Sequence, residues 1–163
     1  MESAVEMLTS KLRSAKHPVV IVDCLVHRFG ATDAARRLLE HLRAPTVSTP
    51  MGKSIVEEGK KYYLGIYNGQ VSYPGVIKAV ETDSDLVIDL GSLPSDSNTG
   101  GHSRKINDDK YILVGTDFVR DATQVFSNVN IVDFLTRLRE VMEQSPMQQF
   151  EYPSLPAITD PDP

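Results

Sequence analysis

The sequence has no tryptophan and a single cysteine, Cys24, among 163 residues. A lone cysteine makes no internal disulfide, and no Cys/His group has the spacing of a zinc site, so a structural metal is not expected. Long apolar runs are missing too. The longest, Val19-Val20-Ile21-Val22, is far short of the ~20 residues that cross a bilayer, and residues 1–16 lack a signal-peptide stretch. These absences predict a cytoplasmic protein with no membrane partner. Positive charge is in deficit, with 17 Lys and Arg against 22 Asp and Glu and a formal charge of −5. No basic stripe interleaved with aromatics reverses that field, which argues against nucleic acid. Glycine and proline, ten of each, are too few for a collagen-like or low-complexity chain. What remains is one ordinary domain whose 40% hydrophobic content can fill a core.

The hydrophobic pattern alternates between two periods. Ser3 and Glu6 make a capping-box pattern, and Val5, Leu8, Leu12 and Ala15 share a helical face, so a helix is expected to about Lys16. Pro18 then opens Val19–Val22, a β-branched run suited to a strand covered on both faces. Asp23 to Gly30 is expected as a connecting loop. Thr32 is a candidate N-cap for a helix carrying Ala35, Leu38, Leu39 and Leu42, stopped by Pro45. Thr46–Ser48 is a short strand, and Tyr62–Tyr67 is either a loop or an extended stretch. Pro74 marks a helix start before Val76, Ile77 and Val80, and the strand Leu86–Ile88 follows. Residues 94–109 form a polar excursion long enough to serve as an interface or functional loop. Tyr111–Val114 is a further strand, and 117–130 is irregular, with one short strand near Val129. Phe134, Leu135, Leu138, Val141 and Met142 define a last helix. Residues 145–163 are proline-rich and are expected as a linker or tail. This alternation predicts an α/β fold, a single doubly wound domain with a mainly parallel sheet flanked by helices.

Ligands in such folds sit beyond the carboxyl ends of the strands. Met51-Gly52-Lys53-Ser54 has the end of a P-loop, but Val47 stands where its first glycine is required. Asp23 to Gly30 holds one glycine, so the dinucleotide fingerprint is absent. Gly100-Gly101 lies in a polar loop and suits a turn. Cys24 and His27 are a possible nucleophile and base, or Cys24 is a small buried hydrophobe. Asp23 either caps a loop or faces a ligand. Glu57-Glu58 and Asp108-Asp109 are adjacent carboxylates that point apart. Arg28, at a strand's carboxyl end, can grip an anion in a bidentate fashion or form a salt bridge.

The ordered segments Pro18–Asp23, His27-Arg28-Phe29, Thr49–Ser54, Gly65–Gly69, Asp85–Gly101 and 117–139 resemble the central domain of pyruvate decarboxylases. These are thiamine-diphosphate-dependent 2-oxo acid decarboxylases, and the filamentous-fungal form is the nearest. The resemblance covers residues 5–142. It implies a central domain over 1–144, with 1–17 as its opening helix, flanked in the parent enzyme by N-terminal and C-terminal domains missing here. It implies thiamine diphosphate and magnesium in that parent, homo-oligomer assembly, and no cofactor bound by this chain alone. The family's catalytic residues belong to the outer domains, so no catalytic residue is assigned and the isolated chain is expected to be inactive. It further implies a regulatory substrate site in which Arg28, Gly91 and Ser92 bind the activator. The yeast-type cysteine pair matches Leu25 and Val26, and its histidine matches Phe29, so cysteine-linked activation is not carried over. Two other readings stand beside this one: an independent NAD- or FAD-type nucleotide-binding module, and an inert oligomerising module.

Overall fold

The computed structural model describes residues 1–144, 146 and 148–155, and in it the β-branched run after Pro18 becomes the middle of a seven-stranded sheet. β1 (Pro18–Val22) is buried along its whole length, as is β4 (Leu86–Leu90). They pair in parallel, Pro18 opposite Leu86 and Val22 opposite Leu90. β2 (Thr46–Ser48) and β3 (Tyr63–Ile66) extend the sheet on one side. β5 (Tyr111–Val114), β6 (Phe118–Arg120) and β7 (Val125–Ser127) extend it on the other. The order is β3-β2-β1-β4-β5-β6-β7, parallel from β3 to β5 and antiparallel in the last two pairings.

Alternation along β1 divides the core. Val20 and Val22 face the larger apolar cluster with α1 (Glu2–Ser14), α3 (Thr32–Leu42) and α5 (Ile131–Glu143), while Val19 and Ile21 face a smaller one. The smaller cluster is closed by α4 (Pro74–Ile77), which continues as a π-helical segment over Lys78–Asp83. Leu8, Leu39 and Phe134 are fully buried in the larger cluster, and side chains of this size stabilise by about 1.5–3 kcal/mol each when buried. The widened π turn leaves carbonyl oxygens open, and the Lys110 ammonium donates to those of Glu81 (2.8 Å) and Ser84 (2.9 Å).

Local expectations differ from the structure at several points. The Ser3 capping box does not form: the N-cap is Met1, whose carbonyl accepts from Ala4 and Val5, so Ser3 already lies inside the helix. Thr32 is likewise the first helical residue of α3 and not its cap, which is Ala31. Asp23–Gly30 contains a single helical turn, α2 (Leu25–Arg28). Tyr63–Ile66 settles as an edge strand despite Gly65, whose φ is +120°. The 117–130 stretch is a hairpin of β6 and β7, and Val129 is buried just beyond it.

Asp121 organises that hairpin's turn. Its Oδ1 accepts from the Thr123 N–H (2.9 Å), the Thr123 hydroxyl (2.8 Å) and the Gln124 N–H (3.1 Å), while Oδ2 meets Lys11 Nζ at 3.3 Å. Burial pushes this carboxyl up, but the Thr123 and Gln124 donors and Lys11 outweigh it and hold the pKa at about 2. The folded value lies below the unfolded one of ~3.9, so this contribution is complete above that pH and is lost as pH falls towards 2. Asp121→Ala is therefore expected to be less stable than the parent at neutral pH, with the gap closing between about pH 4 and 2. Urea titrations at stepped pH measure it, and a gap independent of pH would refute the assignment.

Beyond α5, residues 148–155 run without regular structure across the amino ends of the strands. Gln148 Nε2 donates to the Ala15 carbonyl, Phe150 is buried, the Tyr152 hydroxyl donates to the Arg43 carbonyl (2.9 Å), and Leu155 packs on the smaller cluster. Of the 145–163 stretch, positions 145, 147 and 156–163 lie outside the described residues.

Candidate functional site

Strand order reverses between β1 and β4, where an open α/β sheet forms its ligand crevice. In this protein the crevice is occupied by the chain's own groups. Asp23, the residue after β1, is fully buried. Its Oδ1 accepts from the Cys24 N–H (2.6 Å) and the Thr49 hydroxyl (2.7 Å), and its Oδ2 from the Leu93 N–H (2.8 Å) and Asn98 Nδ2 (2.7 Å). A buried carboxylate is tolerable only when paired or fully hydrogen-bonded, and four donors supply that here. Asn98, also fully buried, returns Nδ2 to the Leu93 carbonyl (3.1 Å) and accepts the Met51 N–H (3.0 Å). One carboxylate and one amide thus sew together the loops after β1, β2 and β4.

Two glycines allow this closeness. A Cβ on Gly52 would stand 2.3 Å from the Val22 carbonyl oxygen, and one on Gly91 would stand 2.5 Å from the Val26 nitrogen. Gly91 has φ +63° and its carbonyl accepts the Leu25 N–H at 3.1 Å, so α2 rests directly on it. Arg28 ends α2, is exposed, and has no carboxylate partner among the described residues. Ser92 follows Gly91, is half-buried, and its hydroxyl acts on Asp89 of β4, favouring that carboxylate's charged form. Of the three proposed activator residues, then, Gly91 supports the turn that carries Arg28, and Ser92 faces a different carboxylate.

The other candidates resolve into structural roles. Burial pushes the Cys24 thiol up, the Asp23 carboxylate adds to the effect, and Arg28 opposes it. His27 Nδ1 lies 3.3 Å from the Thr32 hydroxyl; no imidazole activates the thiol. In the Met51–Ser54 turn the Gly52 N–H is spent on the Thr49 carbonyl (3.0 Å), and Arg36 takes the carbonyls of Ser54 (3.0 Å) and Ile55 (2.6 Å). The Met51 and Gly52 N–H groups are thus already taken and not open to a phosphate. Gly100 and Gly101 adopt φ of +60° and +69° in a turn closed by the Gly101 N–H on the Asp96 carbonyl at 2.7 Å. Asp108 and Asp109 start a short 3₁₀ turn. Among the described residues no group of three or more His, Cys, Asp or Glu could hold a metal ion.

Sequence reasoning missed a second buried network on the α4 side. Asp89, fully buried, takes a hydrogen bond from Tyr111 (2.7 Å) and pairs with Arg104 at 3.1 Å. Burial pushes its carboxyl up, and the Arg104 guanidinium pulls it back. Arg104 also lies 5.3 Å over the Tyr67 ring and donates to the Asn98 carbonyl at 3.3 Å. The Tyr67 hydroxyl in turn donates to Glu81 at 2.6 Å. This chain of contacts fixes the polar excursion onto the sheet. A signal was available: Asp89 stands in an otherwise apolar strand, and a buried charge requires a partner.

Comparison with known proteins places this arrangement. Residues 5–144 match the family model described as thiamine pyrophosphate enzyme, central domain. A pyruvate decarboxylase of Aspergillus terreus is 35% identical over 138 residues, covering 85% of this chain and 24% of that protein. One from Candida albicans is 30% identical over 141 residues, covering 86% and 25%. The chain therefore spans about a quarter of the length of these curated relatives. Among solved structures, a protein described as a thiamin diphosphate-dependent enzyme from Mycobacterium smegmatis superposes with a TM-score of 0.65. It is 20% identical and covers 96% of this chain and 30% of its own; at that identity the likeness speaks to fold alone.

Proposed function

Because the chain belongs to the family of thiamine pyrophosphate enzyme central domains, we propose that it serves as the middle domain of a pyruvate decarboxylase and performs no chemistry by itself. The observation that carries the second half of this reading is the filled crevice: Asp23, Gly52 and Gly91 close the place where a nucleotide or cofactor would enter. The same feature disfavours an independent NAD- or FAD-binding module. Among the described residues no helix is long and apolar enough to cross a membrane; the parent enzyme is proposed to be cytoplasmic.

Thiamine diphosphate and magnesium, the cofactors proposed for the parent, do not fit the residues present: the described residues hold no metal-ligand cluster, and Asp23 and Asn98 fill the crevice with the chain's own groups. The neighbouring domains would supply them. In this reading residues 1–144 form the domain, 145–163 run towards the next one, and the assembled parent is a homo-oligomer. The domain's contribution is to present α2 and its unpaired Arg28 at a domain boundary, where an anionic regulatory pyruvate would be gripped near Gly91 and Ser92.

Two measurements test this. The purified chain with thiamine diphosphate, magnesium and pyruvate is expected to form no acetaldehyde above background, and turnover would sink the proposal. In the full-length enzyme, Arg28→Ala is expected to abolish the sigmoidal dependence on pyruvate while keeping the maximal rate within about twofold. An unchanged sigmoidal curve would remove Arg28 from the regulatory site.

A further inference from the structure

A cationic concavity lies at the opposite end of the sheet from the loops above, beside the amino ends of β2 and β3. It has a volume of about 680 Å³ and is walled by the last turns of α3 and α5, the stretch before β3, and Tyr152. Five Lys or Arg side chains line it against two carboxylates. Two of the five are already neutralised, Lys60 by Glu40 at 2.8 Å and Arg139 by Glu143 at 2.6 Å. Arg37 and Lys61 are exposed, with no carboxylate within ion-pair distance among the described residues. Helix C-termini attract cations, which accounts for Arg43 and His41. It does not account for Arg37 in the middle of α3, or for Lys61 in a loop. A chain of net charge −5 thus gathers open cationic donors around a space of ligand size.

We propose that this cleft binds a small polyanion of linked phosphate groups, either a free polyphosphate or the phosphate tail of a nucleotide. Arg37 and Lys61 contact the outer oxygens, since guanidinium and ammonium donors suit phosphate. Tyr152, held by its hydroxyl's bond to the Arg43 carbonyl, also lines the cleft.

Calorimetric titration of the chain with pyrophosphate, triphosphate and ATP, without magnesium, tests the proposal. Saturable one-site binding is expected, weakening as salt rises. Combining Arg37→Ala with Lys61→Ala is expected to weaken it at least ~10-fold, because hydrogen bonds to charged groups are the strong ones. Both positions are exposed, so folding should survive; each single substitution, expected to weaken binding several-fold, gives the same reading if the double variant does not fold. ATP binding tighter than triphosphate, with the difference lost in Tyr152→Ala, identifies a nucleotide, and equal affinities identify free polyphosphate. Absence of saturable binding by all three anions, or full-strength binding by the variants, overturns the proposal.

Discussion

Asp23→Ala is expected to destabilise the chain by about 3–5 kcal/mol, lowering the urea midpoint by about 2 M. The size follows from what is left behind. The Cys24 and Leu93 N–H groups, the Thr49 hydroxyl and the Asn98 amide would each lose an acceptor in a place closed to water. A buried unsatisfied donor costs about 1–3 kcal/mol, and relaxation of the loops recovers part of the sum. Asp23→Asn separates shape from chemistry. It keeps the volume but turns an amide nitrogen towards groups that already donate, so most of the loss should persist. A midpoint within 0.3 M of the parent in either variant, taking an m of about 2 kcal/mol/M, would show that the loops after β1, β2 and β4 do not depend on this carboxylate.

Gly91→Ala is expected to cost about 2–4 kcal/mol through two separate terms. The φ of +63° disfavours any residue with a Cβ, by about 1 kcal/mol. The new Cβ would also stand 2.5 Å from the Val26 nitrogen and 3.1 Å from the Leu25 carbonyl carbon, and crowding of that kind typically adds about 1–3 kcal/mol. Because the obstacles are backbone atoms, relief requires α2 to lift, carrying Arg28 with it. Thermal denaturation should show a fall of about 4–16 °C for a chain of this length. In the full-length enzyme the same change should flatten the sigmoidal pyruvate response that Arg28 is proposed to support. A melting temperature within about 2 °C of the parent would mean that α2 does not rest on Gly91.

How legible this was in the sequence depends on the distance over which each feature is determined. Long periodic segments announced themselves: Val5, Leu8 and Leu12 on α1, Ala35, Leu38, Leu39 and Leu42 on α3, and the β-branched run of β1 are all buried as the spacing required. Short elements were read unevenly: the strands Thr46–Ser48 and Tyr111–Val114 form where expected, but others were missed. α2 is one turn, too brief for a period to show, and β6 and β7 are three residues each, held by pairing with one another and with β5. Caps failed for a local reason. Ser3 and Thr32 carry the right hydroxyls, but both helices begin earlier, so those groups fall inside the first turn. At the candidate site Asp23 stood out as a carboxylate ending an apolar strand. Its partner Asn98 lies 75 residues away and Arg104 reaches back 15 residues to Asp89, and no local pattern encodes such meetings. The ordered motifs, read together, carried the family identity where single spacings carried none.

The Asp23 cluster also bears on the time order of folding. Three of its four donors are separated from it by 26, 70 and 75 residues, so those bonds can close only after both crossovers have docked and the polar excursion has settled. Contacts of such range form late, because loop-closure entropy must be offset before they bring any gain. Bonds made after the barrier govern how fast a protein leaves the native state and hardly affect how fast it arrives. In kinetic terms the cluster is a latch. Its loss should leave the refolding rate nearly unchanged and speed unfolding by roughly 10²–10⁴-fold, so the lifetime of the folded domain, more than its formation, rests on one carboxylate at the end of β1.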